Sequence, residues 1–230
     1  MINCMSTGYI ETFPIEENIS SEVLGTSRST EVRMLGDKYV LKELSKVNKI
    51  KRISDESDPE YRSRRTKESL DILREEKELS EIAIDFIPKQ IQTYPEFYLI
   101  ANGSDGYPTP FKVQCLSKGQ TLRDSKTRDL SPKLKSAMDE LVAASVKCFF
   151  KTGKVFDIVG CTRNDDENPI GEVIRHLNPL KYSSNLLLID DEKLAFIDAR
   201  VGGGNLAKQI VSLLTLSGYY WNKLMSKIHG

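Results

Sequence analysis

The sequence predicts an α+β protein of two lobes, the first a five-stranded antiparallel sheet with one helix and the second reduced and mainly helical. The 230 residues, 39% of them hydrophobic, can bury the cores of one large domain or two small lobes. Five short strand-type segments and one helical segment come first, and a long helical segment and an apolar hairpin follow. We therefore expect an N-lobe over 1–116 and a C-lobe over 117–230.

Composition and charge argue against several classes of protein. Lys+Arg and Asp+Glu are both 33, which gives no reason to expect nucleic acid or an anionic membrane as a partner. Two histidines do not favour a histidine-rich zinc site or a His-dependent triad. No signal peptide is recognised, and the apolar stretch 210–221 is too short to span a bilayer. The cysteines form no CxxC pair and are expected to be free thiols in a reducing, cytoplasmic setting: Cys4, Cys115, Cys148 and Cys161.

Residues 19–44 contain three strand-type runs, "SEVL", "TEVRML" and "KYVLKEL". Gly-Asp separates the last two and predicts a hairpin. The turn "GTSRST" separates the first two, and its small residues leave backbone N–H groups that can meet an anion, although most such turns bind nothing. Lys42 stands in the otherwise apolar third run, where the ordinary interpretation is the solvent face of an edge strand.

The next part of the chain divides into a charged segment and a helix. Residues 45–69 are charge-dense with few apolar residues, which predicts a solvated connection. Residues 68–86 have helical periodicity, with an apolar stripe that contains Leu79. Glu75 is expected on this stripe and Glu76 at its edge, and an acid on an apolar helix face needs a partner.

The rest of the chain is predicted as two strands, a long helix, a hairpin and a last helix. The strands "FYLIAN" and "FKVQCL" and the loop "SKGQTL" precede a helix over 131–151 with Ser131 as its N-cap. Asp157 lies on a short apolar run after this helix, and a polar stretch separates it from the hairpin of 185–198. "VGGGN" predicts a flexible break before an amphipathic helix over 206–228.

Two oxygen-bearing side chains, Asn185 and Asp198, flank the apolar hairpin thirteen residues apart. A two-stranded ribbon brings its ends to one edge, and Asn and Asp oxygens suit a hard cation such as Mg²⁺. An ordinary hairpin with a capping Asn and a solvent-exposed Asp is the alternative. The long helix that precedes the hairpin favours the metal-binding interpretation.

The order of these segments resembles the protein-kinase-like fold over 20–205. In that family an Asn and the Asp of the DFG motif hold Mg²⁺ at the ends of a similar hairpin, with the same usual spacing. "VLK" resembles the VAIK motif, which implies that Lys42 contacts the α- and β-phosphates of ATP. Its family partner is a Glu of the following helix, where Glu75 fits best and Glu76 and Glu78 are alternatives.

The resemblance also implies nucleotide contacts in two further segments. "GTSRSTEV" stands where the family has the Gly-rich loop GxGxxGxV, and only Gly25 and Val32 match, with small polar residues in place of the other glycines. Gln114 would be the gatekeeper, followed by a hinge whose backbone over 115–117 meets the adenine edge. The implied nucleotide-binding residues are Gly25, Thr26, Ser27, Val32, Lys42, Gln114 and Leu116.

The catalytic loop departs most from the family. The pattern HRDxxxxN requires an Asp five residues before Asn185, where this chain has Leu180. One interpretation is a pseudokinase that lacks a base. The other, which we favour, makes Asp157 the catalytic base, because "FDI" follows the long helix where the family has "RDL". Residues 159–184 would then be an insertion whose ends stay close, at small entropic cost.

The C-lobe is short for this family, since "DAR" replaces DFG and only 32 residues follow Asp198. We therefore expect no ordinary activation segment, and the chain resembles the minimal kinases that some bacterial pathogens deliver into host cells. The resemblance implies a monomeric, ATP- and Mg²⁺-dependent Ser/Thr protein kinase, either cytoplasmic or a virulence effector acting on a host protein. The alternatives are a pseudokinase scaffold that binds a partner protein, an aminoglycoside-kinase type of phosphotransferase, which the short C-lobe disfavours, and an unrelated α+β domain.

Overall fold

The structure, a computed structural model, describes residues 10–12, 19–27, 30–44, 50–122, 130–158, 183–190 and 193–202 and positions 217, 218, 220, 221 and 225. The chain divides into two compact units. Unit 1 comprises Met1–Glu78 and Tyr94–Ser117, and unit 2 comprises Leu79–Thr93 and Lys118–Gly230. Helices and mostly antiparallel strand pairs make up the regular structure of the described residues, so the predicted α+β class is confirmed.

Unit 1 is built on a six-stranded sheet. Its strands are β1 (Ile10–Thr12), β2 (Ile19–Ser27), β3 (Thr30–Leu35), β4 (Tyr39–Leu44), β6 (Glu96–Asn102) and β7 (Pro108–Cys115), while β5 (Gln92–Thr93) belongs to unit 2. The order is β1-β6-β7-β4-β3-β2. The five strands predicted from the sequence are antiparallel neighbours. β1 adds to β6 in parallel, so the expected five-stranded, wholly antiparallel sheet is not confirmed.

The two faces of this sheet bury different side chains, because neighbouring residues of a strand point to opposite faces. One face carries an apolar cluster of Leu41, Leu99, Ala101, Phe111 and Val113. On the other face, Leu44 of β4 packs with Tyr98, Ile100 and Leu73, the last from helix α1 (Asp58–Ile84). Lys42 precedes Leu44 by two residues and therefore lies on the same side as this helix.

Helix α1 begins at Asp58, where the sequence predicts a solvated connection up to residue 69, so that boundary is wrong. The backbone N–H and the hydroxyl of Ser57 both donate to the carboxylate of Glu60, at 2.9 and 2.6 Å. This pairing stabilises a helix start, as in a capping box. Arg62 forms an ion pair with Asp58 one turn away. The charged residues that predict a solvated connection therefore stabilise the first turn of α1 instead.

The first turns of α1 are anchored by the buried guanidinium of Arg65. It donates to the hydroxyl of Tyr61 at 2.8 Å and to the carbonyl of Pro108 at 3.0 Å, and it pairs with Asp105 at 2.8 Å. Hydrophobic periodicity cannot detect this anchor, because the buried group is a cation. The predicted start of the helix is wrong for that reason.

We expect Arg65→Met to lower the free energy of unfolding by about 2 kcal/mol, because its buried neutral partners lose their donor. Urea unfolding at constant pH measures this change. Arg62→Met is the matched control, since the Arg62 side chain is 46% exposed and its ion pair lies at the surface. The control should lose less than about 1 kcal/mol. Equal losses in the two variants would contradict the anchoring role of Arg65.

Unit 2 combines a four-stranded sheet with a long helix. Its strands are β5, β8 (Gln120–Thr121), β9 (Leu186–Asp190) and β10 (Lys193–Phe196), in the order β5-β10-β9-β8. Helix α2 (Pro132–Thr152) begins after Ser131, whose hydroxyl accepts from the amide of Leu134 at 3.2 Å. The predicted helix, its N-cap and the β9–β10 hairpin are thus confirmed. The apolar core of unit 2 includes Met138, Leu141, Val142, Leu186, Leu194 and Phe196.

Several predicted segments lie outside the described residues. These are the turn at Arg28 and Ser29, residues 159–182 of the predicted insertion, the last three residues of "VGGGN" and nearly all of the helix 206–228. In the part of the chain that the structure describes, no helix is both long and apolar enough to cross a membrane.

Candidate functional site

The β9–β10 hairpin brings Asn185 close to Asp198. Leu186 pairs with Phe196, and the amide of Ile197 donates to the carbonyl of Asn185 at 2.8 Å. Asp198 is the next residue after Ile197, so the two ends of the hairpin meet at one edge of the sheet. The antiparallel register therefore makes neighbours of two residues that are thirteen positions apart in the sequence.

Asp198 has an unusual backbone conformation. Its φ of 50° is the one positive value at a non-glycine residue among those described. This left-handed conformation costs an L-residue about 1 kcal/mol or more, although Asp and Asn tolerate it best. The hydroxyl of Ser80 donates to the carbonyl of Ala199, and the amide of Val201 donates to that of Leu79, both at 3.0 Å. Strained backbone that neighbouring bonds hold in place is typical of functional sites.

Asp157 lies beside the hairpin although 28 residues separate it from Asn185. Nδ2 of Asn185 donates to the backbone carbonyl of Asp157 at 2.7 Å. Only the nitrogen of the side-chain amide can donate to a carbonyl, so this bond turns Oδ1 of Asn185 away from Asp157. The structure thus brings together two residues that the sequence singles out separately.

A short bridge holds Asp157 from its other side. Phe156 pairs with Val201, and the amide of Asp157 donates to the carbonyl of Arg200 at 3.0 Å. Nη2 of Arg200 also approaches Oδ2 of Asp157 at 3.4 Å. Asp157 therefore bonds both to Asn185 and to the residue two positions after Asp198. Sequence reasoning does not identify Arg200, because the pairing between these segments is not local.

The residue that follows Asp157 lies next to a residue that shortly precedes Asn185. The hydroxyl of Ser183 donates to the carbonyl of Ile158 at 2.6 Å and accepts from the amide of Leu186 at 3.1 Å. Ile158, which precedes the predicted insertion 159–184, is therefore hydrogen-bonded to Ser183 near the end of that segment. Ser183 is fully buried, and nothing in "KYSS" distinguishes it from any other loop serine.

The donor set at the hairpin ends fits a hard divalent cation. Asn185 and Asp198 offer amide and carboxylate oxygens, and Mg²⁺ at phosphate sites is commonly held by one or two protein groups plus substrate oxygens. Oδ1 of Asp198 is buried and accepts no hydrogen bond from the described residues, although the side chain has other interactions. Among the described residues there is no group of three or more His, Cys, Asp or Glu that could hold a metal ion. The protein groups alone would thus leave most of the coordination to substrate and water.

Lys42 is buried in unit 1, where its Nζ donates to Oε1 of Gln114 at 3.1 Å. β4 lies between β3 and β7, so the interpretation of Lys42 as a solvent-facing residue of an edge strand is wrong. A buried ammonium is stable only with compensating polar partners. The other charged side chains buried in unit 1 are, among those described, Arg65, Glu76, Glu96 and Lys112.

The acid that α1 buries is Glu76, whereas Glu75 is exposed, so the predicted place of Glu75 on the buried stripe is wrong. Glu78, the other alternative, is exposed as well. The sequence misplaces the stripe because half of the buried positions are polar. They are Tyr61, Arg65, Ser69, Leu73, Glu76, Leu79, Ser80 and Ala83.

The other residues predicted to bind nucleotide lie along the strands of unit 1. The register pairs Gly25 with Val32, Thr26 with Glu31 and Ser27 with Thr30. Residues 25–27 therefore belong to the paired strand β2, so the predicted turn over 25–30 is wrong at these positions, while Arg28 and Ser29 lie outside the described residues. In the predicted hinge, the amide of Leu116 donates to the carbonyl of Lys38 at 2.7 Å, so this N–H is already engaged.

The chain is similar in structure to solved proteins. No protein-family model matches the chain, and no curated protein matches it. A solved structure, the GDP and kanamycin complex of APH(2")-IIia, is similar over 88% of this chain and 78% of that chain, with 14% identity and a TM-score of 0.37. That protein is an aminoglycoside phosphotransferase of the protein-kinase-like fold.

Proposed function

We propose that this chain is a phosphotransferase that uses Mg²⁺ and ATP, with Asn185 and Asp198 as metal ligands and Asp157 as catalytic base. The observation that carries the proposal is the hydrogen bond from Asn185 to the carbonyl of Asp157. It joins residues 28 apart and ties Asp157 to the hairpin that ends at Asp198. It favours Asp157 as the acid that replaces the one missing at Leu180.

The reaction forms a bond between the acceptor's hydroxyl oxygen and the γ-phosphorus of ATP. The bond from that phosphorus to the β–γ bridging oxygen breaks, and ADP leaves. The carboxylate of Asp157 accepts the hydroxyl proton, while Arg200 beside Oδ2 holds that carboxylate in place. Mg²⁺, when bound, would supply positive charge that stabilises the transferred phosphoryl group. Oδ1 of Asn185 and the carboxylate of Asp198 are the donors that would hold it.

Lys42 is proposed to contact the nucleotide phosphates, with Glu76 in place of Glu75 as its acidic partner. Leu44 packs with Leu73 between β4 and α1. Lys42 lies two residues before Leu44, and Glu76 lies three residues after Leu73, so each occupies the next position on a face that already makes contact. The remaining proposed nucleotide contacts are Gly25, Thr26, Ser27, Val32, Gln114 and Leu116.

The proposed acceptor is a Ser or Thr hydroxyl of a protein, with a host protein as the target of a bacterial effector. This part rests on the resemblance of the sequence to minimal effector kinases. The rival function is a pseudokinase scaffold, which predicts no phosphoryl transfer and nucleotide binding that is weak or independent of Mg²⁺. A kinase and a scaffold therefore differ in whether nucleotide binding requires Mg²⁺, and this difference can be measured.

We expect ATP at one hundred times its Kd to stabilise the wild-type protein by about 2.7 kcal/mol, and only when Mg²⁺ is present. Lys42→Met should lose most of this stabilisation, because the phosphates lose a buried cation. Thermal unfolding with ATP, with and without Mg²⁺, measures the effect. Lys51→Met, at an exposed lysine, is the matched control and should behave as wild type.

Phosphoryl transfer is tested with ATP labelled at the γ-phosphate, using the protein itself, a host-cell protein extract and kanamycin as acceptors. Label on protein supports the kinase proposal, and label on kanamycin alone would replace the protein acceptor with a small molecule. If ATP stabilises the protein equally with and without Mg²⁺, and no acceptor is labelled, the scaffold function is favoured.

A further inference from the structure

Unit 1 contains a buried hydrogen-bonded network around the carboxylate of Glu96. Its Oε1 accepts from Nζ of Lys112 and from Nε2 of Gln114, each at 3.2 Å, and its Oε2 accepts from the hydroxyl of Tyr98 at 2.8 Å. Gln114 in turn accepts from Lys42. None of these five side chains is more than 8% exposed. The network therefore links the proposed phosphate-binding lysine to a carboxylate that the proposed function does not use.

The strand register explains why these side chains meet. Gln114 of β7 lies opposite Glu96 of β6, and Lys112 lies opposite both Tyr98 of β6 and Lys42 of β4. All five residues point to the sheet face that carries the Leu44 cluster. A charged pair at this depth adds little net stability over apolar side chains of similar size. Net stability alone therefore does not account for this charged pair.

Gln114 connects Lys42 to Glu96 in one orientation only. A carboxylate can only accept hydrogen bonds and an ammonium can only donate them. The Gln114 side-chain nitrogen must therefore face Glu96, and its oxygen must face Lys42. Reversal of this amide would set oxygen against carboxylate and N–H against ammonium. The charge of Glu96 thus determines which atom of Gln114 meets Lys42.

We propose that Glu96 is a positioning residue that, through Gln114, fixes the ammonium of Lys42 for binding of the nucleotide phosphates. This inference rests on the proposed function only in assigning phosphates to Lys42. A lysine side chain has four rotatable carbon bonds, and holding its end in place before the ligand arrives reduces the entropy lost on binding. Lys112 forms an ion pair with Glu96 at 3.2 Å, which balances the charge of the carboxylate.

The first experiment compares ADP affinity, by isothermal titration, in the wild type and Glu96→Gln. A glutamine at position 96 no longer forces the Gln114 amide into one orientation, so Lys42 loses its fixed acceptor. We expect affinity to fall by about fivefold or more. Tyr98→Phe is the matched control, because it removes a bond to Glu96 but leaves the link to Gln114, and its affinity should stay within about twofold.

The unfolding temperatures of the same two variants separate positioning from stability. Each variant weakens the buried network, so each should unfold at a lower temperature than the wild type. Only Glu96→Gln should lose ADP affinity. An equal loss of ADP affinity in Tyr98→Phe would overturn the proposal. So would a Glu96→Gln variant that binds as the wild type does.

A second readout does not depend on nucleotide binding. The ¹⁵N resonance of the Lys42 ammonium, assigned by its loss in Lys42→Met, should shift in Glu96→Gln and stay near its wild-type position in Tyr98→Phe. If the wild-type protein binds no nucleotide, the proposed function fails, and this resonance alone decides whether Glu96 positions Lys42. A resonance unchanged by Glu96→Gln would overturn the inference.

Discussion

Asp157→Asn should reduce phosphoryl transfer by about 10²–10⁴-fold, the contribution typical of a general base. Asparagine preserves the size of the side chain and the backbone carbonyl that accepts from Asn185, but it cannot take the acceptor's proton. ADP affinity should therefore remain within about twofold of the wild type. Initial rates of γ-phosphate transfer and titration with ADP measure the two quantities.

Two further variants sharpen this result. Asp198→Ala should abolish both transfer and the Mg²⁺-dependent part of ATP stabilisation, because the proposed metal ligand is lost. Asp71→Asn, at an exposed aspartate of α1, should leave both unchanged. Normal transfer by Asp157→Asn would show that another group is the base, and normal Mg²⁺-dependent binding by Asp198→Ala would remove the metal assignment.

Phe196→Ala should lower the free energy of unfolding by about 3–5 kcal/mol, because it leaves a cavity in the core of unit 2. The Phe196 side chain is 0% exposed, and its ring centroid lies 6.0 Å from that of Phe156. Both aromatic residues directly precede residues of the candidate site, Ile197 and Asp157. Urea unfolding and amide hydrogen exchange along β9 and β10 measure the global and local losses.

Phe150→Ala is the matched control, since this phenylalanine of α2 is 81% exposed. It contacts Phe149 edge to face, so we expect a loss of at most about 1 kcal/mol. Faster exchange in β9 and β10 should appear in Phe196→Ala and not in Phe150→Ala. Similar losses in the two variants would mean that Phe196 does not support the hairpin as its burial indicates.

Local signals predict much of the fold because they act over a few residues. Alternation of apolar residues and a Gly-Asp turn predict β3 and β4, and Ser131 with Pro132 predicts the start of α2. The apolar hairpin is likewise predicted with the right ends. The start of α1 is not, because Arg65 is buried by polar contacts with residues some forty positions away.

The sequence by itself determined five strands of unit 1, α2 and the hairpin between Asn185 and Asp198, because periodicity, caps and turn residues are properties of adjacent positions. Only the tertiary structure decided that Glu76 and not Glu75 is buried, and that Glu96 reaches Lys42 through Gln114. It also decided that Asp157 meets Asn185 across 28 residues. These contacts depend on pairing between distant segments and on the burial of polar groups. The hydrophobic pattern of the chain reveals neither of them.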